Sequence, residues 1–221
     1  MTAETPVTAE TPVTAQPPVT AEPPAPRGQR ADAQRNQGRI LEAARAVVEE
    51  QGTQASLRDV ARRAEVGLGT LYRHFPTRDA LLETLLRERF DLLAARAVEL
   101  GTDRPPEEAL REWLRGFTLS TGTYRGLSAS LMATLNEADS PLHASCLAMR
   151  QAAGTLLARA QDAGRIRPDV DGTDLFALVN ALGWISDQAP SIAARGDHLF
   201  GLVMDGLAPR PPAATADPAD R

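Results

Sequence analysis

Several features that define other classes of protein are missing from this chain. It has 221 residues but one cysteine and no lysine, and aromatic residues make up only 4%. The single cysteine, Cys146, excludes an internal disulfide and a cysteine-based metal cluster. No apolar run approaches the roughly 18–20 residues that span a bilayer, and no signal-peptide pattern opens the chain. These absences predict a soluble cytoplasmic protein with no membrane partner.

The sequence also lacks a recognisable catalytic constellation. The three histidines are scattered along the chain. His143 and Cys146 share one helix face and suit a metal pair or a thiol with a base, but two ligands are too few for a metal site, so a structural role is favoured. Gly67 and Gly69 follow a helix rather than a strand, which excludes a nucleotide-binding loop. We therefore predict no enzyme activity, no metal and no other cofactor.

What the chain does contain favours helices. Hydrophobic residues make up 43%, mostly Leu, Ala and Val, and Ala and Leu are strong helix formers. The formal net charge of −5 is unevenly distributed, because residues 27–90 carry 12 arginines and 9 acidic residues. A basic segment within an acidic chain indicates local contact with nucleic acid. We predict an all-α fold with a basic N-terminal unit.

Composition and periodicity divide the chain into four segments. Residues 1–33 contain the repeats TAETPV, TAETPV, TAQPPV and TAEPPA, which have too few large apolar groups to fold, so a disordered tail is expected. A docking tail for a partner is the alternative. Residues 34–80 form a head, residues 81–207 a larger body, and residues 208–221 a second tail. Arg27, Arg30 and Arg35 lead into the head, either along a phosphate backbone or solvated.

The head is predicted to hold three helices and the start of a fourth. The first covers residues 34–51, and Gly52 follows as its cap. The second begins at Ser56, whose side chain is expected to accept from the backbone N–H of Asp59. Gly67 is expected to let the chain turn closely into a third helix over residues 68–75. A long fourth helix over residues 78–100 is expected to bury several leucines, Leu92 among them.

The second and third helices, with their glycine-containing turn, match a helix-turn-helix, although an ordinary helical hairpin fits the spacing as well. A helix-turn-helix presents the N-terminal half of its second helix to the major groove. Gly69 allows close approach there, and Leu68 and Thr70 offer methyl groups to thymine. Tyr72 and Arg73, with His74 beside them, suit phosphate oxygens.

The run SLRDVARRAEVGLGTLYRHFPTRDALLETLL resembles the DNA-binding signature of TetR-type transcriptional regulators. The resemblance covers about residues 35–86 and departs from the family at Glu65, where Gly is frequent, and at Gly67, where Ser is common. It implies binding to double-stranded DNA. The contact residues that it implies are Ser56, Leu57 and Arg58 on the second helix, Gly67, Leu68, Gly69, Thr70, Tyr72, Arg73 and His74 on the third, and Arg78 on the fourth.

The body is predicted to contain helices over residues 106–123, 127–136, 141–163, 173–189 and 197–207, with Thr173 as a cap. The runs GLSASLMATL and LLARAQDAGRIRPDVDGTDL resemble an SbtR-like C-terminal domain of the same family. The resemblance implies that the last two helices form a four-helix dimer interface. The alternative is that they only close the subunit's own core. The apolar residues concerned are Leu178, Leu182, Ile185, Leu199, Val203 and Leu207.

Aromatic and methionine side chains in the body suit a cavity for a mostly apolar ligand, although the same spacing also fits plain core. The candidate lining residues are Trp113, Phe117, Met132, Cys146, Met149, Phe176 and Trp184. The candidate polar contacts are Thr118, Thr121, Asn136 and Arg150.

The sequence thus predicts a homodimeric, ligand-responsive repressor that binds a palindromic operator, lies on the nucleoid when bound, and is released by a small, mostly apolar effector. One alternative is a helical enzyme or small-molecule carrier with a vestigial DNA-binding head. Another is a ligand-independent, nucleoid-type DNA binder.

Overall fold

The computed structural model describes residues 27–121, 129–188 and 190–209, and the side chains of residues 32–119, 133–185 and 191–209. These residues form α-helices and connecting turns with no β-strand, which confirms the all-α prediction. The helices are α1 (Arg27–Gln51), α2 (Leu57–Arg63), α3 (Leu68–His74), α4 (Arg78–Asp103), α5 (Pro106–Thr121), α6 (Ala129–Asn136), α7 (Pro141–Asp162), α8 (Gly172–Gln188), α9 (Pro190–Ala193) and α10 (Gly196–Leu207).

Most helix boundaries lie close to the predicted ones, but α1 starts earlier. It begins at Arg27 rather than at residue 34, directly after Pro26, because no proline follows to interrupt the helix. The short helix α9 was not predicted. The repeats at residues 1–26, the C-terminal residues 210–221 and the predicted helix ends at 122–123 and 127–128 lie outside the described residues.

Tertiary packing holds the head together. Helices α2 and α3 have seven residues each, too short to be stable alone. They are anchored by Val60, Leu71 and Phe75, which are buried against α1 and the first turns of α4. The predicted packing of Leu71 and Phe75 is confirmed.

Helix α4 extends from the head into the body. Leu81, Leu82 and Leu85 belong to the core cluster of the head, whereas Leu93 belongs to that of the body. The prediction that Leu92 is buried is wrong: its side chain is 61% exposed. One face of α4 packs on α5 and α7. Leu93 lies on that face, whereas its neighbour Leu92 does not.

Helix α7 also contacts both units. It packs on α4 more extensively than any other pair of helices pack on each other in the described chain. Leu142, in its first turn, is fully buried in the head cluster, and Met149 and Leu156 are buried in the body cluster. Two helices, α4 and α7, therefore join the head core to the body core.

None of the described helices combines the length and the apolar character that crossing a bilayer requires.

Candidate nucleic-acid interface

The turn that aims α3 is a Schellman motif at the end of α2. The N–H of Val66 donates to the carbonyl of Ala61 at 3.0 Å, and the N–H of Glu65 donates to that of Arg62 at 3.2 Å. Glu65 takes the left-handed conformation, with φ of 51°. The expectation that Gly67 provides this turn is wrong, since Gly67 is extended, with φ of −63° and ψ of 142°.

Side-chain caps fix the starts of α2 and α4. The Oγ of Ser56 accepts from the N–H of Arg58 at 3.2 Å, not from that of Asp59 as predicted. The Asp59 carboxylate accepts from Arg62 at 2.9 Å instead. The Oγ1 of Thr77 accepts from the N–H of Ala80 at 3.0 Å. Both cap hydroxyls satisfy backbone donors that a helix start would otherwise leave unpaired.

The first residues of α2, α3 and α4 border one groove of about 480 Å³. The partial positive charge of helix N-termini favours an anion in this groove, whereas the Asp79 carboxylate in the lining opposes one. The groove brings together six of the predicted DNA-binding residues. Its lining residues are Gln54, Ala55, Ser56, Leu57, Arg58, Leu68, Tyr72, Thr77, Arg78 and Asp79.

Ion pairing separates the arginines of this region into two groups. Arg62 and Arg63 form salt bridges with Asp59 and Glu50, at 2.9 and 2.6 Å. No described carboxylate lies within salt-bridge distance of Arg58, Arg73 or Arg78. These three arginines are the ones that the sequence predicts to contact DNA, and their charge is not neutralised within the head.

The other predicted residues lie along α3, outside the groove lining. Gly67, Gly69 and Arg73 are exposed, whereas Thr70 and His74 are half-buried. The guanidinium of Arg73 donates to the carbonyl of Gly69 at 3.3 Å and to the hydroxyl of Thr70 at 3.2 Å. Arg73 therefore lies back along α3 and keeps its charge on the outer face.

A separate cavity of about 430 Å³ lies between α5, α7 and the start of α8. Five of the predicted ligand-binding residues line it: Trp113, Phe117, Met149, Arg150 and Phe176. The remaining lining residues are Leu114, Leu147, Gln151, Ala153, Asp171, Gly172, Thr173 and Leu175.

The other predicted ligand-binding residues lie elsewhere. Trp184 is 63% exposed on the outer side of α8, and Asn136 is exposed at the end of α6. Cys146 packs half-buried against the body cluster. The hydroxyl of Thr118 donates to the carbonyl of Leu114 at 2.8 Å. The side chains of Thr121 and Met132 lie outside the described residues.

The pair formed by His143 and Cys146 has structural roles. The Nδ1 of His143 lies 2.9 Å from the carbonyl oxygen of Leu135, which ties α7 to α6. Burial raises the pKa of the Cys146 thiol above its usual range and so opposes formation of the thiolate. Within the described residues, no group of three or more ligating side chains could hold a metal.

Sequence reasoning missed Asp171, which caps α8 and lines the cavity. Its Oδ1 accepts from the N–H groups of Thr173 at 2.7 Å and Asp174 at 2.9 Å, so the expectation that Thr173 is the cap is wrong. Hydrogen bonds from Asp174 and then Thr173 hold the pKa of Asp171 below its usual range, with a smaller contribution from the charge of Arg150. An Asp three residues before another Asp at a helix start was the available signal.

Comparison with known proteins supports both halves of the chain. The family model for bacterial regulatory proteins of the tetR family matches residues 40–85. The model for the C-terminal domain of SbtR-like transcriptional regulators matches residues 105–209.

One curated relative is the HTH-type transcriptional repressor KstR of Mycolicibacterium smegmatis. It is 40% identical over 70 residues, which are 31% of this chain and 34% of that protein. The match thus spans about a third of the length of the relative.

Two solved structures match over most of their length. A TetR transcriptional regulator from Streptomyces coelicolor is 37% identical, with a TM-score of 0.62, over 79% of this chain and 99% of that one. The TetR transcription regulatory protein from Mycobacterium vanbaalenii is 32% identical, with a TM-score of 0.55, over 81% and 99%. The chain therefore belongs to the TetR family of transcriptional regulators, with a helix-turn-helix head and an SbtR-like body.

Proposed function

We propose that this regulator is a repressor that binds a palindromic operator through the groove and outer face of the head. The observation that carries the proposal is the groove bordered by the starts of α2, α3 and α4, which contains Arg58 and Arg78, together with Arg73 on the outer face of α3. No described carboxylate lies within salt-bridge distance of these three arginines. Phosphate oxygens match both features. The 40% sequence identity to the repressor KstR, over 70 residues, supports repression rather than activation.

The proposed assembly is a homodimer formed through α8 and α10. These helices pack on each other, and each leaves large apolar side chains exposed. Leu178, Trp184 and Ile185 on α8, with Leu202 on α10, are between 37% and 63% exposed. A two-fold dimer would place its recognition helices about 34–36 Å apart, one turn of the duplex. Of the other predicted interface residues, Leu207 is buried within the body, whereas Leu182, Leu199 and Val203 are half-buried.

The proposed effector is a small, mostly apolar molecule that binds in the body cavity. Helix α7 provides Met149 and Arg150 to that cavity and, two turns earlier, Leu142 to the head core. A ligand that binds more tightly to one position of α7 would also favour one position of the head. The effector can shift this balance only by its difference in affinity for the two states.

The head assignment is tested by measuring duplex binding of single variants. Genomic fragments captured by the purified protein supply the operator, and fluorescence anisotropy gives its affinity. Tyr72→Ala and Arg73→Ala are each expected to weaken binding about tenfold, as the loss of a charge-assisted contact does. Wild-type affinity should fall steeply with salt, because phosphate contacts release counterions.

Arg62→Ala is the matched control for Arg73→Ala. Arg62 is an exposed arginine of the same unit, but unlike Arg73 it is already paired with a carboxylate, that of Asp59. We expect this variant to retain operator affinity within about threefold, since an exposed ion pair contributes little. Unchanged binding by Tyr72→Ala and Arg73→Ala would refute the proposed interface.

A further inference from the structure

The cavity in the body has a continuous aromatic wall. The rings of Trp113 and Phe117 stack with centroids 5.3 Å apart, and those of Phe117 and Phe176 lie 5.5 Å apart at 33°. The indole N–H of Trp113 donates to the carbonyl of Leu93 at 2.8 Å, so this donor is not available to a ligand. Trp113 and Phe117 are only 4% and 5% exposed, whereas Phe176 is half-buried, so Phe176 presents more of its ring to the cavity than the other two do. An aromatic lining favours a flat aromatic partner.

Arg150 is the one cationic side chain among the described residues that line the cavity. The guanidinium of Arg150 lies 5.6 Å from the centroid of the Phe176 ring, and its side chain is exposed. No described carboxylate lies within salt-bridge distance of it. This cation–π contact with Phe176 uses none of the N–H groups of Arg150, so they can donate to an incoming anion.

Asp171 limits how much negative charge the cavity accepts. It lines the same cavity, and its Oδ1 is occupied by two backbone N–H groups of α8. Its charge and that of Arg150 are opposite in sign, so the lining carries no net charge when both are ionised. A ligand with one anionic group gains a partner in Arg150, whereas a second anionic group would meet only Asp171.

We propose that the cavity binds a flat aromatic compound with a single anionic group, its rings against Trp113, Phe117 and Phe176 and its anion on Arg150. The volume of about 430 Å³ lies towards the lower end of small-molecule sites and suits a few rings. This inference rests on the proposed effector site and specifies its ligand class.

Two fluorescent probes of nearly equal shape test the proposal on the purified, full-length protein without DNA. Anilinonaphthalene sulfonate carries one negative charge, and phenylnaphthylamine has the same ring system without it. We expect both to bind saturably, with the sulfonate the tighter. Arg150→Gln should weaken the sulfonate about tenfold and change phenylnaphthylamine less than twofold, because only a charge-assisted contact is lost.

Two further variants give opposite changes. Asp171→Asn keeps a capping side chain but removes the repelling charge, so it should tighten the sulfonate two- to threefold, as a rough expectation, and leave phenylnaphthylamine unchanged. Phe176→Leu should weaken both probes, because the aromatic wall is interrupted. Arg104→Gln, at an exposed arginine that does not line the cavity, is the matched control and should change neither.

Equal effects of Arg150→Gln on the two probes, or no effect of Phe176→Leu on either, would overturn the proposal. Because the measurement contains no DNA, that failure is separate from a failure of operator binding. Wild-type protein that binds the operator, yet binds the sulfonate no more tightly than phenylnaphthylamine, would refute only the ligand class.

Discussion

At the scale of the residue, Glu65 occupies a position that suits glycine. The ends of α2 and α7 have the same Schellman hydrogen-bond pattern, in which the left-handed residue is Glu65 with φ of 51° in one and Gly164 with φ of 65° in the other. A side chain in this conformation costs roughly 1–2 kcal/mol, because Cβ crowds the following carbonyl oxygen.

Glu65→Gly is expected to stabilise the protein by about 1 kcal/mol, which raises Tm by roughly 2–4 °C. The variant also loses the salt bridge between Glu65 and Arg39 at 3.1 Å. That pair is exposed and contributes less than about 0.5 kcal/mol, so the relief of backbone strain is the larger effect. Thermal unfolding followed by circular dichroism measures the change.

The reciprocal substitution provides the control. Nothing lies within 4 Å of a Cβ built at Gly164, so Gly164→Ala isolates the conformational cost without a steric clash. It should lower Tm by an amount similar to the gain from Glu65→Gly. If Glu65→Ala stabilises as much as Glu65→Gly, the left-handed backbone is not the source of the effect.

At the scale of the element, the start of α8 depends on Asp171 in its ionised form. The carboxylate accepts two backbone N–H groups, and this bonding lowers its pKa from the ordinary 3.8. Because the pKa is lower in the folded state, the stabilisation is complete above the unfolded pKa. It is lost as the pH falls through the folded pKa.

Asp171→Ala is expected to lower Tm by roughly 2–4 °C at neutral pH, because two helix-start donors lose their acceptor. The difference from the wild type should stay constant down to about pH 4 and shrink at lower pH, where the wild-type carboxylate becomes protonated. Tm measured between about pH 7 and pH 3 tests this.

Asp171→Asn should retain most of the stability at neutral pH, since Asn caps a helix nearly as well as Asp. A Tm deficit of Asp171→Ala that does not depend on pH would contradict the assigned role of the ionised carboxylate.

At the scale of the whole molecule, the proposed dimer and operator symmetry depend on the exposed apolar faces of α8 and α10. Leu202→Arg places a charge within the proposed interface and is expected to give a monomer in sedimentation experiments. Operator affinity should then fall about a hundredfold, because a monomer binds one half-site whereas a dimer binds both at once.

Val98→Arg is the matched control, because Val98 is similarly exposed, at 65% against 54% for Leu202, but lies on α4. We expect it to leave both the dimer and operator affinity unchanged. A monomer produced by both variants, or by neither, would place the interface elsewhere.

The family itself consists of transcriptional regulators rather than enzymes, in agreement with the lack of a catalytic constellation in the sequence.

The sequence by itself determined the family, the helical class and the residues that anchor α3. These depend on local information: spacings of three and four residues, capping residues, and a motif in which identity and order are both retained. Leu71 and Phe75 were predicted to be buried because residues four apart lie on the same face of a helix, and both are buried.

Only the tertiary structure decided which of several equivalent residues has which role. Leu92 and Leu93 are the same residue type on the same helix, but only Leu93 faces a neighbouring helix. Trp184 and Trp113 are both aromatic at helical spacing, but only Trp113 lies between α5, α7 and α8. Contacts between segments that are distant in the chain determine which residue is buried. The apolar periodicity of one helix does not specify which other helices pack against it.

The same reason applies to charge. Arg62, Arg63 and Arg73 are indistinguishable as residue types in a basic segment. Glu50 is 13 residues from Arg63 in the chain, yet the two side chains lie 2.6 Å apart, so the fold neutralises Arg63. Arg73, on the outer face of α3, has no described carboxylate within salt-bridge distance.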